Sequence, residues 1–124
     1  MIKKTLTVDF EDDRGTIMDI LVDTPRDHAT IIFTKKGCVR GNHYHKLSEQ
    51  TDFLVSGKMK LFTQKPGEEV VETILEPNSL TEMEKEEAHA FEALEDSVFI
   101  TFVKGPRGGN EFENDTYRLS KPLV

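Results

Sequence analysis

The sequence predicts an all-β barrel or sandwich, and three observations predict it. Apolar residues recur with a period of two rather than 3.6, as in half-buried strands. The apolar runs are short and rich in β-branched and aromatic residues. Turn signals separate them at short intervals. Among the runs, Thr5-Leu6-Thr7-Val8-Asp9-Phe10 alternates polar and apolar, which predicts an N-terminal strand. Ala29 to Thr34 and Val98 to Val103 read as strands buried on both faces, and Lys58-Met59-Lys60-Leu61 alternates again. Thr51 to Ser56 and Val70 to Leu75 complete the set. The turns are Asp13-Arg14-Gly15, Lys36-Gly37, Ser56-Gly57, Lys65-Pro66-Gly67, Glu76-Pro77-Asn78-Ser79 and Glu95-Asp96. The run Glu82, Glu84, Glu86 and Glu87 has no apolar stripe and reads as a solvated acidic turn. Lys104 to Asn110 reads as a flexible loop before a polar tail that packs back through Tyr117 and Leu119.

Length and charge bound the function. The 124 residues suit a single domain, 1–124, large enough for a core without disulfides. The net charge of −7 argues against nucleic acid and against anionic membranes as partners. One cysteine, Cys38, cannot form an intrachain disulfide and reads as a small buried filler. No apolar segment follows Lys3 and Lys4, so no leader is expected, and a cytoplasmic location is.

Chemistry concentrates in Gly37-Cys38-Val39-Arg40-Gly41-Asn42-His43-Tyr44-His45. On a strand, residues i and i+2 share a face, so the imidazoles of His43 and His45 point the same way. Glu49 and Gln50 come next, and His89 enters a later strand.

These residues resemble the cupin family. Its first motif is matched by Gly37, five residues, His43-Tyr44-His45, four residues, Gln50, six residues and Gly57. Gln50 stands where Glu is usual, and Glu49 is the second choice for that position. The second motif is recognisable in Glu76-Pro77-Asn78-Ser79 and in His89, at the family's third histidine. The resemblance implies a single double-stranded β-helix (jelly-roll) barrel with a core over about 30–103, the N-terminal strand and C-terminal tail packing on it. Arg40, Gly41, His43, His45, Lys46 and Gln50 further resemble the sugar-nucleotide 3,4-ketoisomerases, and the ending Asn114 to Arg118 resembles those proteins and capsule-synthesis cupin domains.

The same resemblance implies an activity. The chain is expected to act on a keto-sugar nucleotide as an isomerase or epimerase, with His43, His45 and His89 as acid and base. Arg40, Tyr44, Gln50 and Arg118 are the expected substrate contacts, and no cofactor is required. Local cations for a diphosphate would come from Arg40, Lys58, Lys60, Arg107 and Arg118. The alternatives are a metal-dependent oxidoreductase or dioxygenase, with Fe, Mn, Ni or Zn on His43, His45, Gln50 and His89, or a non-catalytic carbohydrate-binding cupin. A homodimer is expected, with Thr5 to Phe10 pairing across the interface.

Overall fold

A computed structural model of the chain describes residues 1–108 and 113–124. Twelve strands account for its regular structure: β1 (Ile2–Thr5), β2 (Phe10–Asp12), β3 (Gly15–Ile17), β4 (His28–Thr34), β5 (Val39–Tyr44), β6 (Glu49–Ser56), β7 (Met59–Gln64), β8 (Val71–Leu75), β9 (Ser79–Met83), β10 (Ala88–Ala93), β11 (Ser97–Lys104) and β12 (Tyr117–Arg118). One five-stranded sheet runs β1-β9-β6-β11-β4 and the other β12-β5-β10-β7-β8, with all pairs antiparallel. The inner faces of the two sheets enclose a jelly-roll barrel. β2 and β3 form a separate ribbon.

Alternation along the strands fills one part of the interior with Leu54, Met59, Leu61, Leu75, Met83, Phe91, Ala93 and Phe99. The polar inward residues His89, Gln50, Asp52 and Thr101 gather beyond this apolar cluster and are themselves buried. The barrel thus divides into a hydrophobic part that supplies stability and a polar part that leaves room for a ligand.

Four expectations are corrected. The N-terminal strand is Ile2–Thr5, paired with β9 of its own sheet, and strand structure resumes only at Phe10. Leu6 instead donates its backbone N–H to Asn78, so the alternation after Thr5 belongs to a crossing segment. β4 is buried on one face only: Ile31 and Phe33 point outward, 55% and 65% exposed. Cys38 is exposed, because it lies in the tight turn Lys35–Cys38 rather than in the following strand. Glu87 leaves the solvated acidic run. It is 3% exposed and pairs with the backbone nitrogen of Met1 at 2.7 Å. The turn itself is as expected, between β9 and β10. Of the loop Lys104 to Asn110, Gly109 and Asn110 lie outside the described residues.

The two motif glycines serve different ends. Gly37 has φ 86° with nothing near where a Cβ would stand. Gly57 has φ 94°, and a Cβ there would run into the Asp96 carbonyl and lie 2.7 Å from Ser97 Cα. Backbone cannot yield as a side-chain end can, so of these two Gly57 alone combines strain with overlap. Gly57→Ala is expected to cost about 3 kcal/mol, and Gly37→Ala about 1 kcal/mol. Urea denaturation of both variants checks the ordering.

Candidate functional site

The site is assembled from four strands. His43 on β5 sits opposite His89 on β10. Across the barrel, Gln50 and Asp52 come from β6, and Asp52 is opposite Thr101 of β11. The register between β5 and β10 shifts between His89 and Ala90. His89 pairs with His43, yet Phe91 pairs with Arg40. Two steps on β10 therefore match three on β5, which is a β-bulge. Gly41 and Asn42 absorb it with φ of 96° and 58°. The extra residue brings Arg40 and His43 to the same cavity, which strict alternation would forbid.

That cavity has a volume of about 660 Å³ and is lined by Thr30, Ile32, Val39, Arg40, Gly41, His43, Gln50, His89, Phe91, Phe99, Thr101, Arg107 and Arg118. Three of the five expected cations reach it. Lys58 and Lys60 do not, and Lys60 pairs with Glu72 at 3.6 Å. Arg40 spans the cavity's edge, donating to Thr34 Oγ1 at 2.9 Å and to the Phe33 carbonyl at 3.0 Å. Arg118 donates to Glu113 at 2.6 Å. Tyr44 is not brought to this cavity. It stacks on Tyr117 at 5.3 Å, consistent with its odd position between His43 and His45.

The three imidazoles converge. Ring centroids are 4.9 Å apart for His43 and His45, 4.7 Å for His43 and His89, and 5.3 Å for His45 and His89. His45 is 3% exposed and stands behind the cavity wall. Its Nδ1 donates to the Asp115 carbonyl at 2.8 Å. His89 Nδ1 donates to the Glu87 carbonyl at 3.1 Å, so its Nε2 turns inward as a lone pair. Among the described residues, His43 Nδ1 and His89 Nε2 are buried without a hydrogen-bond partner.

Burial holds His43 far below the usual imidazole pKa, at about 3, with His45, Arg107 and Arg118 adding repulsion. Burial and the neighbouring imidazoles push His89 down as well. Both are therefore neutral near pH 7.

Gln50, not Glu49, faces the histidines. It is 7% exposed, whereas Glu49 is exposed on the other side of the strand. Gln50 Oε1 lies 3.0 Å from His45 Nε2. Its Nε2 donates to both oxygens of Asp52, at 3.1 and 2.9 Å. Asp52 also accepts from Thr101 Oγ1 at 2.6 Å. Burial raises the Asp52 carboxyl to about 6, against the lowering effect of those two partners. Sequence reasoning missed Asp52. The available signal was an acid inside the apolar run Thr51 to Val55, two residues from Gln50 and hence on its face.

The donor set fits a metal ion. The nearest ligand atoms of His43, His45 and His89 all lie within 4.8 Å of one another, and two of the rings carry a nitrogen that lacks any other partner. The His45 and His89 Nδ1 atoms are tied to carbonyls, as the outer nitrogens of ligating histidines generally are.

No protein-family model matches the chain, and no curated relative matches it. Solved structures do. The capsular polysaccharide assembling protein CapF from Staphylococcus aureus is 25% identical with a TM-score of 0.67, over 92% of this chain and 32% of CapF. The chain thus spans about a third of CapF's length. QdtA, a sugar 3,4-ketoisomerase from Thermoanaerobacterium thermosaccharolyticum solved with TDP, is 17% identical with a TM-score of 0.79, over 96% of this chain and 88% of QdtA. A dTDP-4-dehydrorhamnose 3,5-epimerase from Sulfolobus tokodaii is 22% identical with a TM-score of 0.77, over 93% and 74%. The shared fold is the cupin jelly roll. Among the described residues, no helix is long and apolar enough to cross a membrane.

The buried histidines dictate a pH dependence. An unfolded His43 takes up a proton below pH 6.5, while the folded one resists down to about 3. Its contribution is therefore present above pH 6.5 and is lost as pH falls toward 3. Between pH 7 and pH 4 the wild type is expected to lose about 3 kcal/mol more stability than His43→Asn. Urea unfolding of both proteins at the two pH values measures the difference, and Asp52 contributes equally to both.

Proposed function

We propose that the chain is a one-domain cupin enzyme that isomerises or epimerises a nucleotide-linked keto sugar by proton transfer. The observation that carries this reading is the joining of neutral imidazoles and arginines in one cavity. His43 and His89 line it beside Arg40, Arg107 and Arg118. A nucleoside diphosphate needs cations, and a 4-keto sugar needs a base at C3. The solved ketoisomerase and epimerase of like fold support the same substrate class.

The chemistry is built from these residues. His43, neutral and facing the cavity, takes the proton from C3. Burial is the main cause of its low basicity, and an incoming diphosphate offsets the lesser repulsion from Arg107 and Arg118, raising its power as a base. A 3,4-ketoisomerisation moves that proton to C4 and the C3 hydroxyl proton to the C4 oxygen, so no electron leaves the sugar. An epimerisation returns a proton to the opposite face of the same carbon. His89 is the second group in reach. His45 joins through the Gln50 amide to Asp52, a buried acid that holds or releases a proton near neutral pH. Gln50 and Thr101 border the developing enediolate, their own N–H and O–H groups donated to Asp52 behind them. Arg40 and Arg118 take the diphosphate. Tyr44 acts indirectly, by holding the tail that carries Arg118.

A second reading rests on the unpartnered nitrogens of His43 and His89. His43, His45 and His89, with Gln50 beside them, would hold one divalent Fe, Mn, Ni or Zn ion. Such an ion supplies Lewis acidity toward a carbonyl or phosphoryl oxygen. Homodimerisation is supported by the apolar outer face of β4, where Ile31 and Phe33 stand exposed. A reducing cytoplasmic setting suits the exposed thiol of Cys38.

Incubation with dTDP-4-keto-6-deoxyglucose in D2O, monitored by NMR, is expected to place deuterium at a carbon next to the carbonyl. His43→Ala should slow this by about 100-fold or more. No exchange in the wild type would remove the isomerase reading. Elemental analysis separates the second reading: about one ion per chain, lost in His43→Ala/His45→Ala, together with loss of exchange on chelation, would establish it.

A further inference from the structure

Asp115 lies outside the cavity, in the tail that follows the barrel, yet two parts of the residue are committed to the site. Its carboxylate accepts from three consecutive backbone N–H groups: Lys46 to Oδ1 at 3.0 Å, and Leu47 and Ser48 to Oδ2 at 2.8 and 2.6 Å. Its main-chain carbonyl accepts from His45 Nδ1 at 2.8 Å. The residue has a φ of 55°, the left-handed conformation that Asn, Asp and Gly tolerate best. Partial burial raises the carboxyl pKa, but the backbone N–H bonds outweigh it and hold it below the ordinary value. The tail is held from the other side too, because Tyr117 and Arg118 pair with Tyr44 and His43 on β5.

We propose that Asp115 is a positioning residue for His45: its carboxylate docks the tail on the turn after β5, and its carbonyl selects the ring tautomer with hydrogen on Nδ1. A carbonyl can only accept, so the nitrogen facing it must carry hydrogen. Nε2 then carries the lone pair and meets the Gln50 side chain at 3.0 Å, and that side chain turns its amide N–H toward the ring to donate to it. Without the carboxylate, the 46–48 turn loses three hydrogen bonds to the tail, and the ring loses its fixed acceptor. This role stands on geometry, and its bearing on turnover rests on the isomerase reading.

The test uses two variants and a readout that needs no substrate. Asp115→Gly keeps the left-handed backbone and the main-chain carbonyl while deleting the carboxylate. Asp115→Asn keeps one acceptor and the backbone preference. The ring-nitrogen spectrum of ¹⁵N-labelled protein, with His45 assigned by its absence in His45→Gln, reports the tautomer at mildly alkaline pH. The wild type is expected to show Nδ1–H at His45. Asp115→Gly should shift it to Nε2–H or to a mixture, with Asp115→Asn partway back. Nε2–H in the wild type, or an unchanged His45 signal in a folded Asp115→Gly, would overturn the proposal. If the Gly variant fails to fold, the wild type and the Asn variant decide it by the same signals. Where the exchange assay gives turnover, kcat in Asp115→Gly should fall about 10-fold or more with KM little changed. An inactive wild type with the Nδ1–H signature would remove the isomerase reading and leave the positioning role standing.

Discussion

One extra residue in β5 determines what this barrel can hold. A strand without the bulge at Gly41 and Asn42 would turn either Arg40 or His43 out of the cavity, because the side-chain period is two. With the bulge, both face inward, and His43 still lies directly across from His89. The glycine is required sterically as well. A Cβ on Gly41 would stand 2.8 Å from the His89 carbonyl, so any side chain there would push β5 from β10 at the point where the two imidazoles meet. The cluster, its distances and the cation beside it all rest on that local irregularity. Bulges elsewhere re-aim side chains at barrel rims in the same way.

The second constraint is electrostatic. The chain carries a net charge of −7, yet three arginines line the cavity. Their presence beside neutral imidazoles is self-consistent. Burial already disfavours a charged His43, and the arginines Arg107 and Arg118 add to the cost. A charged histidine and a cationic mouth would repel, whereas a neutral one tolerates the arginines, of which Arg40 and Arg118 are held in place by Thr34 and Glu113. Asp52 answers on the opposite wall. It is a buried acid in contact with Gln50, and burial keeps it near the point of ionisation. The Gln50 amide has both a donor and an acceptor, so one side chain meets the His45 ring through Oε1 and donates to Asp52 through Nε2. A glutamate at that position could not serve both neighbours without a further proton. This gives a physical reason for Gln50 where Glu is usual.

The sequence made much of this legible, and what it hid has common causes. Strands β4, β6, β8 and β11 follow from short apolar runs bounded by turns, because period and turn chemistry are local. His43, His45, Gln50 and His89 are brought together as their spacing implied, since i and i+2 share a face and the motif glycines fix the ends. Tyr44 illustrates the converse: the parity that aligns His43 with His45 sends Tyr44 outward to Tyr117. The N-terminal strand lies earlier than the alternation implies, because that pattern continues past Thr5 into a segment whose first N–H bonds to Asn78 instead of to a neighbouring strand. Asp52 and Asp115 were hidden for a different reason. Asp52 left one local sign, its place two residues from Gln50, but its contact with Thr101 and those of Asp115 with the Lys46 to Ser48 turn lie far along the chain, where pairing leaves no periodic trace.

Stability and function are divided within the barrel. The apolar cluster around Leu54, Met59, Leu61 and Phe91 holds the sheets together. The polar part costs stability: each buried, unpartnered nitrogen such as His43 Nδ1 or His89 Nε2 forfeits about 1–3 kcal/mol. Such atoms persist in a folded chain when something else offsets them, and here two features do. The outer nitrogens of His45 and His89 are anchored to carbonyls, which fixes the orientation of the rings. The tail, clamped through Asp115, closes over the end of β5 and shields His45 from water. The two unpartnered nitrogens belong to perpendicular rings whose centroids lie 4.7 Å apart. A ligand that supplies a proton or a positive centre there recovers the hydrogen-bonding capacity the fold leaves unused, and that recovered energy is available to binding and to the reaction at the site.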